Sequence, residues 1–284
     1  MILQPSHLKT LCEAAIDAAR KAGAYINSQS RYTQTVQHKG GTHNLAAQVF
    51  TEVDLASEKI ILDCLKPSLK DFDLALLSEE TKDDGSRFEK DYFWCIDPLD
   101  GSLPFIEHSD GYSISIALIS KAGIPHIGVI YNPVDNTLYH AIKGHGAFRN
   151  HTLWQLHPKN SMTLVCDRSF LNHPRYEEVV SKIKARSQGE LKIISHGGAA
   201  MNAMWVLEGH PAVYFKFPKA EEGGGSLWDY GASACIFHEI KAHVSDAHGQ
   251  PLALNNPLTT FMHQGGICYA STPEIQAITQ LLIK

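Results

Sequence analysis

The segment that most constrains this chain is Trp94–Ile106, with the sequence WCIDPLDGSLPFI. It begins with apolar residues typical of the end of a buried strand. Two carboxylates, Asp97 and Asp100, follow three residues apart across a proline. Pro98 fixes its own φ angle and disfavours a helical conformation at Asp97, so the chain leaves the strand extended and then turns sharply. We therefore expect both carboxylates to point into one small volume.

The same segment has the features of a site for a divalent cation and a phosphate. Two unpaired carboxylates at short distance repel each other, and a cation between them removes that repulsion. Gly101 allows a close backbone approach, and a helix starting near Ser102 offers backbone amides to a phosphate. Together these features indicate Mg²⁺-assisted phosphoryl transfer. The alternative is a plain surface turn, since Asp-Pro and Asp-Gly are common turn dipeptides.

Three further carboxylates stand where predicted elements begin or end. Glu79 follows a predicted strand, Leu74–Ser78, and is either a site residue or part of a solvated acidic loop. Asp54, in the sequence TEVD at the start of a predicted helix, is either a capping residue or a site residue. Asp229 lies in the first turn of a predicted helix, Trp228–His238, where a favourable dipole interaction is the simplest role.

These motifs together resemble those of the inositol monophosphatase superfamily. That superfamily includes inositol monophosphatases, 3'(2'),5'-bisphosphate nucleotidases and fructose-1,6-bisphosphatases. WCIDPLDGS is similar to its W-x-[IV]-D-P-[IL]-D-G-[ST] pattern, LLSEE to a strand ending in [GS]-E-E, and WDYGA to W-D-x-[AG]-A. TEVD matches a T-x-x-D motif. The motifs occur in the superfamily's order, and the similarity covers nearly the whole chain.

The resemblance implies a role for each of these residues. It assigns two or three Mg²⁺ ions to Glu79, Asp97, Asp100, Asp229 and the backbone oxygen of Leu99. It implies hydrolysis by a metal-activated water molecule. Asp54 and Ser102 would orient this water, and Glu79 would also take part in the hydrolysis. The amides of Gly101 and Ser102 would hold the phosphate. Lys39 is the only plausible lysine in the loop where the superfamily places a metal-site residue, although the usual spacing is not kept here.

The predicted elements divide the chain near residue 158. Residues 1–158 hold consecutive short strands typical of an antiparallel or mixed sheet, and we expect an N-terminal α+β subdomain with the metal site. Residues 159–284 alternate strands and helices, which favours a C-terminal α/β subdomain that completes the site and binds the leaving group. The resemblance implies a layered αβαβα sandwich within the α/β (α+β) class.

Composition limits the partners and the compartment. A net charge of −5 gives no electrostatic case for a nucleic acid polymer or an anionic membrane. Six scattered cysteines without a CxxC pair indicate reduced thiols, and no signal peptide or transmembrane stretch is evident, so we expect a cytoplasmic protein. The 16 histidines show no convincing zinc spacing. A homodimer is an expectation from the superfamily that no feature of the chain establishes.

We expect the substrate to be a small phosphorylated metabolite, but the sequence features that indicate which one conflict with each other. Phe105–Ile119 and Lys216–Lys219 look closest to bacterial bisphosphate nucleotidases, although Leu103 and Pro104 replace the Lys-Glu common there. The sequence GGAAMN looks more like the inositol phosphatases, and its residues Gly197, Gly198 and Ala199 are expected near the leaving group.

We predict a Mg²⁺-dependent, lithium-sensitive phosphomonoesterase that removes the 3'(2')-phosphate of adenosine 3',5'-bisphosphate. One alternative is an inositol-1-monophosphatase. A second, from a different class, is a non-catalytic metal-binding scaffold.

Overall fold

The computed structural model describes residues 2–29, 36–38, 49–187 and 189–283. Its helices are α1 (Pro5–Gln29), α2 (Glu52–Asp71), α3 (Ser102–Ile106), α4 (Tyr176–Lys184), α5 (Ala199–Glu208), α6 (Leu227–Glu239) and α7 (Pro273–Ile283). Its first strands are β1 (Val36–His38), β2 (Val49–Thr51), β3 (Ala75–Ser78), β4 (Tyr92–Asp100), β5 (Ser113–Ser120), β6 (Pro125–Asn132) and β7 (Thr137–Ile142). The later strands are β8 (Ala147–Arg149), β9 (Thr152–Leu153), β10 (Met162–Val165), β11 (Leu191–Ile194), β12 (Ala212–Lys216), β13 (His243–Ser245) and β14 (Ile267–Ala270). The predicted metal-site lysine, Lys39, lies outside the described residues.

The larger sheet has seven strands in the order β3-β4-β5-β6-β7-β8-β9. Strand β3 runs parallel to β4, and every later neighbour is antiparallel. This is the mixed sheet that the run of short strands predicts. The parallel pair brings the carboxyl ends of β3 and β4 to the same edge of the sheet. Glu79, which follows β3, therefore lies beside the Asp97 end of β4.

The smaller sheet has five strands in the order β11-β10-β12-β14-β13. Strands β10, β11 and β12 are parallel, whereas β14 pairs antiparallel with both β12 and β13. The carboxyl ends of the three parallel strands meet at one edge, which is where open α/β sheets usually bind their ligands. The residues at those ends are Asp167, His196 and Lys216.

The two sheets and the helices stack in five layers. Helices α1 and α2 cover the outer face of the large sheet, α5 and α6 fill the space between the sheets, and α4 and α7 cover the outer face of the small sheet. Each helical layer shares a hydrophobic core with the sheets that it contacts. The predicted αβαβα sandwich is confirmed.

Strands β4 and β5 are buried on both faces because the sheet has a helical layer on each side. Successive side chains of a strand point to opposite faces. Trp94 and Ile96 accordingly join the core under α1, whereas Phe93 and Cys95 join the core around α6. This explains why the part of β4 before Asp97 is a continuous apolar run without polar alternation. It also makes the strand a rigid support for the carboxylates at its end.

None of the described helices combines the length and the apolarity that crossing a bilayer requires.

The subdomain boundary at residues 158 and 159 stays a prediction, since α5 and α6 pack between the sheets on either side of it.

Gly128 of β6 sets how closely α6 approaches the large sheet. A Cβ atom at this position would meet the backbone oxygen of Ala232 and, at 2.9 Å, the Cβ of Cys235. Because backbone atoms cannot give way cheaply, Gly128→Ala is expected to lower the free energy of unfolding by about 1–3 kcal/mol. Urea unfolding followed by circular dichroism measures this change. Ser181→Ala, on the exposed face of α4, is the control and should stay within about 0.5 kcal/mol. Equal stability of the two variants would contradict the close packing.

Candidate metal centre

Asp97 and Asp100 come together because β4 contains a bulge. Asp97 pairs with Ser115 of β5, and Asp100 pairs with Ser113, so three steps along β4 match two steps along β5. A bulge of this kind bends the strand and redirects its side chains. Pro98, which lacks an N–H group, stands inside the bulge, where no ladder hydrogen bond is lost. The bulge is the structural form of the sharp turn that the sequence predicts.

Asp229 completes a cluster of three carboxylates. One oxygen atom from each of Asp97, Asp100 and Asp229 lies within 4.8 Å of the other two. Asp229 reaches this position from the first turn of α6, and Ser115 of β5 fixes that turn by donating a 3.0 Å hydrogen bond to the backbone oxygen of Trp228. Asp97 and Asp100 are only 1% and 5% exposed. The cluster therefore brings three carboxylates together, of which Asp97 and Asp100 are buried and Asp229 is half-buried.

Backbone amides hold each carboxylate in place. Asp97 accepts a hydrogen bond of 3.0 Å from the N–H of Leu99. Asp100 accepts bonds of 2.9 and 2.8 Å from the N–H groups of Ala199 and Ala200, the first two residues of α5. Asp229 accepts a bond from the N–H of Ser226, the N-cap residue of its own helix. The capping role and the cluster role of Asp229 are thus compatible.

These amides do not fully compensate for burial. Burial raises the pKa of Asp97 well above the usual range, and the charges of Glu79, Asp100 and Asp229 raise it further. Burial and the charge of Asp229 raise the pKa of Asp100 to about 7, against the opposing effect of the α5 amides. The pKa of Asp229 is also raised, mainly by burial. Uncompensated carboxylate oxygens in a buried cluster fit a hard divalent cation such as Mg²⁺.

Two other predicted site residues, the metal ligand Glu79 and the water-orienting Asp54, lie on segments that are hydrogen-bonded to the strand that carries this cluster. The N–H of Glu79 donates a 3.1 Å hydrogen bond to the backbone oxygen of Ile96, which places Glu79 beside Asp97. Asp54 is 3% exposed on α2, and three residues later the Ser57 hydroxyl donates a 2.7 Å bond to the backbone oxygen of Pro98. The start of α2 is thereby attached to the segment between Asp97 and Asp100.

The predicted phosphate-binding residues begin α3. Gly101 has a φ angle of 88°, which favours glycine, and a Cβ there would lie 2.9 Å from the backbone oxygen of Gly111. The helix starts at Ser102, so its first amides have no acceptor inside the helix. The Ser102 hydroxyl lies 3.4 Å from the backbone oxygen of Leu99, the predicted carbonyl ligand.

Gly197, Gly198 and Ala199 lie beside the cluster, but two of their amides are already engaged. The N–H of Gly198 donates to the backbone oxygen of Gly111 at 2.7 Å, and the N–H of Ala199 donates to Asp100. A Cβ on Gly198 would overlap the Asp100 carboxylate. The segment thus has a positioning role for Asp100 that the sequence did not indicate, and its predicted contact with a substrate stays a prediction.

A second polar network beside the cluster was not predicted from the sequence. Lys216 forms a 2.8 Å ion pair with Asp167, and Asp167 also accepts a 2.8 Å hydrogen bond from the Tyr214 hydroxyl. Nearby, the rings of His196 and Trp205 lie 4.8 Å apart between centroids. The available sequence signal was positional, because Lys216 ends one parallel strand and Asp167 and His196 each lie two residues beyond the end of another.

Comparisons with known proteins agree with this arrangement. The sequence model of the inositol monophosphatase family matches residues 7–282. The inositol-1-monophosphatase of Synechocystis is 32% identical over 263 residues, which cover 89% of this chain and 85% of the relative. The 3'(2'),5'-bisphosphate nucleotidase CysQ of Shigella flexneri is 30% identical over 220 residues, which cover 76% and 82% respectively. The solved structure of the extragenic suppressor protein suhB of Bartonella henselae superimposes with a TM-score of 0.73 at 22% identity, and the match covers 96% of this chain and 97% of that one.

The raised carboxylate pKa values predict how the stability of the metal-free protein depends on pH. Some carboxyl groups have a higher pKa in the folded state than in the unfolded state. The stabilising contribution of such a group is fully present only at pH values below its pKa in the unfolded state, which is near 4. This contribution is lost as the pH rises through about 7 for Asp100, and higher still for Asp97. The melting temperature in EDTA should therefore fall between about pH 5.5 and 8.5. Excess Mg²⁺ should stabilise the protein more at the higher pH. A smaller fall in Asp100→Asn is the control, and a flat wild-type profile would show that the carboxylates of the cluster do not titrate in this range.

Gly198→Ala tests whether α5 positions Asp100. The φ angle of Gly198 is −64°, which any residue adopts, so the substitution acts through the overlap with the Asp100 carboxylate. We expect Mg²⁺ affinity, measured by titration calorimetry, to fall about ten- to a hundredfold, as it does when other partners of metal ligands are lost. Ser181→Ala, on the exposed face of α4, is the control and should bind Mg²⁺ as the wild type does. Unchanged affinity in Gly198→Ala would show that Asp100 is positioned by other contacts.

Proposed function

The chain belongs to the inositol monophosphatase family, and we propose that it is a Mg²⁺-dependent phosphomonoesterase that hydrolyses a small phosphorylated metabolite. The observation that carries this proposal is the buried cluster of Asp97, Asp100 and Asp229 beside the start of α3. A cluster of carboxylates next to unpaired helix amides suits a substrate that is a phosphate with cations around it.

The ligands proposed for two or three Mg²⁺ ions are Glu79, Asp97, Asp100, Asp229 and the backbone oxygen of Leu99. Bound Mg²⁺ would shield the charge of the phosphoryl oxygens and lower the pKa of water at the site. Asp54 and Ser102 would orient the attacking water through hydrogen bonds. The first amides of α3, at Gly101 and Ser102, would hold the phosphate in line with that water.

For the substrate we propose adenosine 3',5'-bisphosphate, with hydrolysis of the 3'-phosphate. The edge formed by β10, β11 and β12 carries a cation, Lys216, and an aromatic pair, His196 and Trp205. These groups suit a nucleotide, which has a second phosphate and a flat base. The similarity to the CysQ nucleotidase supports the same choice.

Inositol 1-phosphate is the second candidate. The start of α5 has the sequence GGAAMN, which is similar to that of inositol phosphatases, and Asn202 from this segment lies in the network around Asp167. The network contains both donors and acceptors, which suits a polyol. The similarity to the Synechocystis inositol-1-monophosphatase supports this candidate.

A cytoplasmic location is part of the proposal. The cysteines are free, and five of the six are buried, namely Cys12, Cys95, Cys166, Cys235 and Cys268. Free thiols are typical of proteins kept in a reducing compartment.

Phosphate release from adenosine 3',5'-bisphosphate and from inositol 1-phosphate, each with and without Li⁺, tests the proposal. We expect Mg²⁺-dependent, Li⁺-sensitive release that is faster with the nucleotide, while adenosine 5'-monophosphate is left intact. Asp97→Asn keeps the shape of the side chain and removes a metal ligand, so activity should fall by more than about a hundredfold. Faster release from inositol 1-phosphate would select the second candidate. Mg²⁺ binding without release from any of these esters would favour the non-catalytic scaffold.

A further inference from the structure

Helix α2 is hydrogen-bonded to both segments of the large sheet that carry proposed metal ligands. The Ser57 hydroxyl donates a 2.7 Å hydrogen bond to the backbone oxygen of Pro98, inside the bulge of β4. The next residue, Glu58, accepts at its Oε2 atom a 3.0 Å hydrogen bond from the Thr81 hydroxyl. Thr81 follows Glu79 by two residues. Two successive residues of one helix thus hold the bulge of β4 and the segment that leaves β3.

These two contacts lie beyond the point where β3 and β4 pair. The last pair of their ladder joins Ser78 to Ile96. One further hydrogen bond, of 3.1 Å, runs from the N–H of Glu79 to the backbone oxygen of Ile96. Glu79 therefore stands just outside the sheet, and β4 bends away at its bulge from the next residue onward. The distance between Glu79 and the bulge is not set by the ladder, and α2 is the element that contacts both sides.

Glu58 is a carboxylate buried at this contact, and stability does not account for it. The residue is only 6% exposed. Its Oε1 atom is buried and has no hydrogen-bond partner in the described part of the chain. A buried charged oxygen without a partner costs free energy, which an apolar side chain of similar size would not. What the carboxylate adds, and an apolar side chain cannot, is the acceptor for Thr81.

We propose that Glu58 is a positioning residue of the metal centre: through Thr81 it holds the segment that carries Glu79 at a fixed place beside the bulge of β4. Ser57 holds the bulge from the same turn of α2, so the helix sets the spacing between the two segments. A cation binds more tightly to ligands that are already in place, because ordering a loose segment costs conformational entropy. The inference rests on the metal centre of the proposed function and is independent of the choice of substrate.

Titration calorimetry with Mg²⁺ and with Mn²⁺ tests the inference on the full chain. Thr81→Val keeps the shape of the side chain, changes no charge and removes the donor, so we expect the affinity for both cations to fall about three- to tenfold. Thr81→Ser keeps the hydroxyl and should bind both cations with nearly wild-type affinity.

Ser68→Ala is the matched control. It removes a buried hydroxyl from the same helix, where Ser68 accepts a 2.9 Å hydrogen bond from the indole N–H of Trp94. This variant should lower the melting temperature and leave the affinity for both cations unchanged. A loss of affinity as large as that of Thr81→Val would show that any loosening of α2 has this effect, and it would overturn the inference.

A double variant separates positioning from stability. Glu58→Met with Thr81→Val replaces both partners by apolar side chains and removes the buried oxygen that has no partner. We expect its melting temperature in EDTA to equal or exceed that of the wild type, while the affinity for both cations falls. A lower melting temperature with unchanged affinity would overturn the inference and leave the pair as a structural contact only.

Hydrogen–deuterium exchange in EDTA examines the same segment without a cation. The Glu79 amide should exchange faster in Thr81→Val than in the wild type, and at the wild-type rate in Ser68→Ala. Equal rates in all three proteins would overturn the inference. A wild-type protein that binds neither cation, together with faster exchange in Thr81→Val, would overturn the metal centre of the proposed function and support the role of Glu58 in holding the segment.

Discussion

The electrostatic cost of burying Asp97, Asp100 and Asp229 together is the constraint on which the rest of the structure depends. Each carboxylate is held by backbone amides from a different place: the bulge of β4, the start of α5 and the cap of α6. Amides of this kind are positioned by the fold, so they orient the three carboxylates towards one another. The layers bring these three places to one point, because α5 and α6 share a hydrophobic core with both sheets and both helices start near the end of β4.

The sequence predicted the parts of the site that are local in the chain. Asp97 and Asp100 stand in one short segment whose proline and glycine determine the turn, and Glu79 directly follows the neighbouring parallel strand. Contacts between distant residues left no comparable signal. The amide of Ala199 binds a carboxylate 99 positions earlier in the chain, and nothing in GGAAMN indicates an acceptor of this kind. The fold class followed from the order of the elements, whereas the bulge depends on the register between β4 and β5, which a single strand does not reveal.

Asp229 shows why assigning one role to a residue from sequence can be incomplete. A carboxylate in the first turn of a helix is stabilised by the helix dipole and by the cap, and this alone accounts for its presence there. The structure places Asp229 beside Asp97 and Asp100, as expected from the resemblance, and the cap is kept as well, because the carboxylate accepts a hydrogen bond from the N–H of Ser226 and still has an oxygen within 4.8 Å of the other two carboxylates. The capping hydrogen bond therefore also orients the Asp229 carboxylate towards the cluster. The same argument applies to the start of α5, where a backbone amide of the helix orients Asp100, a side chain from another part of the chain.

The two sheets separate two chemical tasks. The large sheet supplies Glu79, Asp97 and Asp100 from rigid, doubly covered strands, whereas the parallel ends of the small sheet supply Asp167, His196 and Lys216. Substitutions at the second group change the ends of the small sheet without moving the bulge that holds the carboxylates. A fold arranged in this way keeps one reaction while its substrate changes, which agrees with the presence of both an inositol-1-monophosphatase and a bisphosphate nucleotidase among its relatives. Because the proposed metal ligands are the same for both candidate substrates, we expect substitutions at the ends of β10, β11 and β12 to be the ones that distinguish the two substrates.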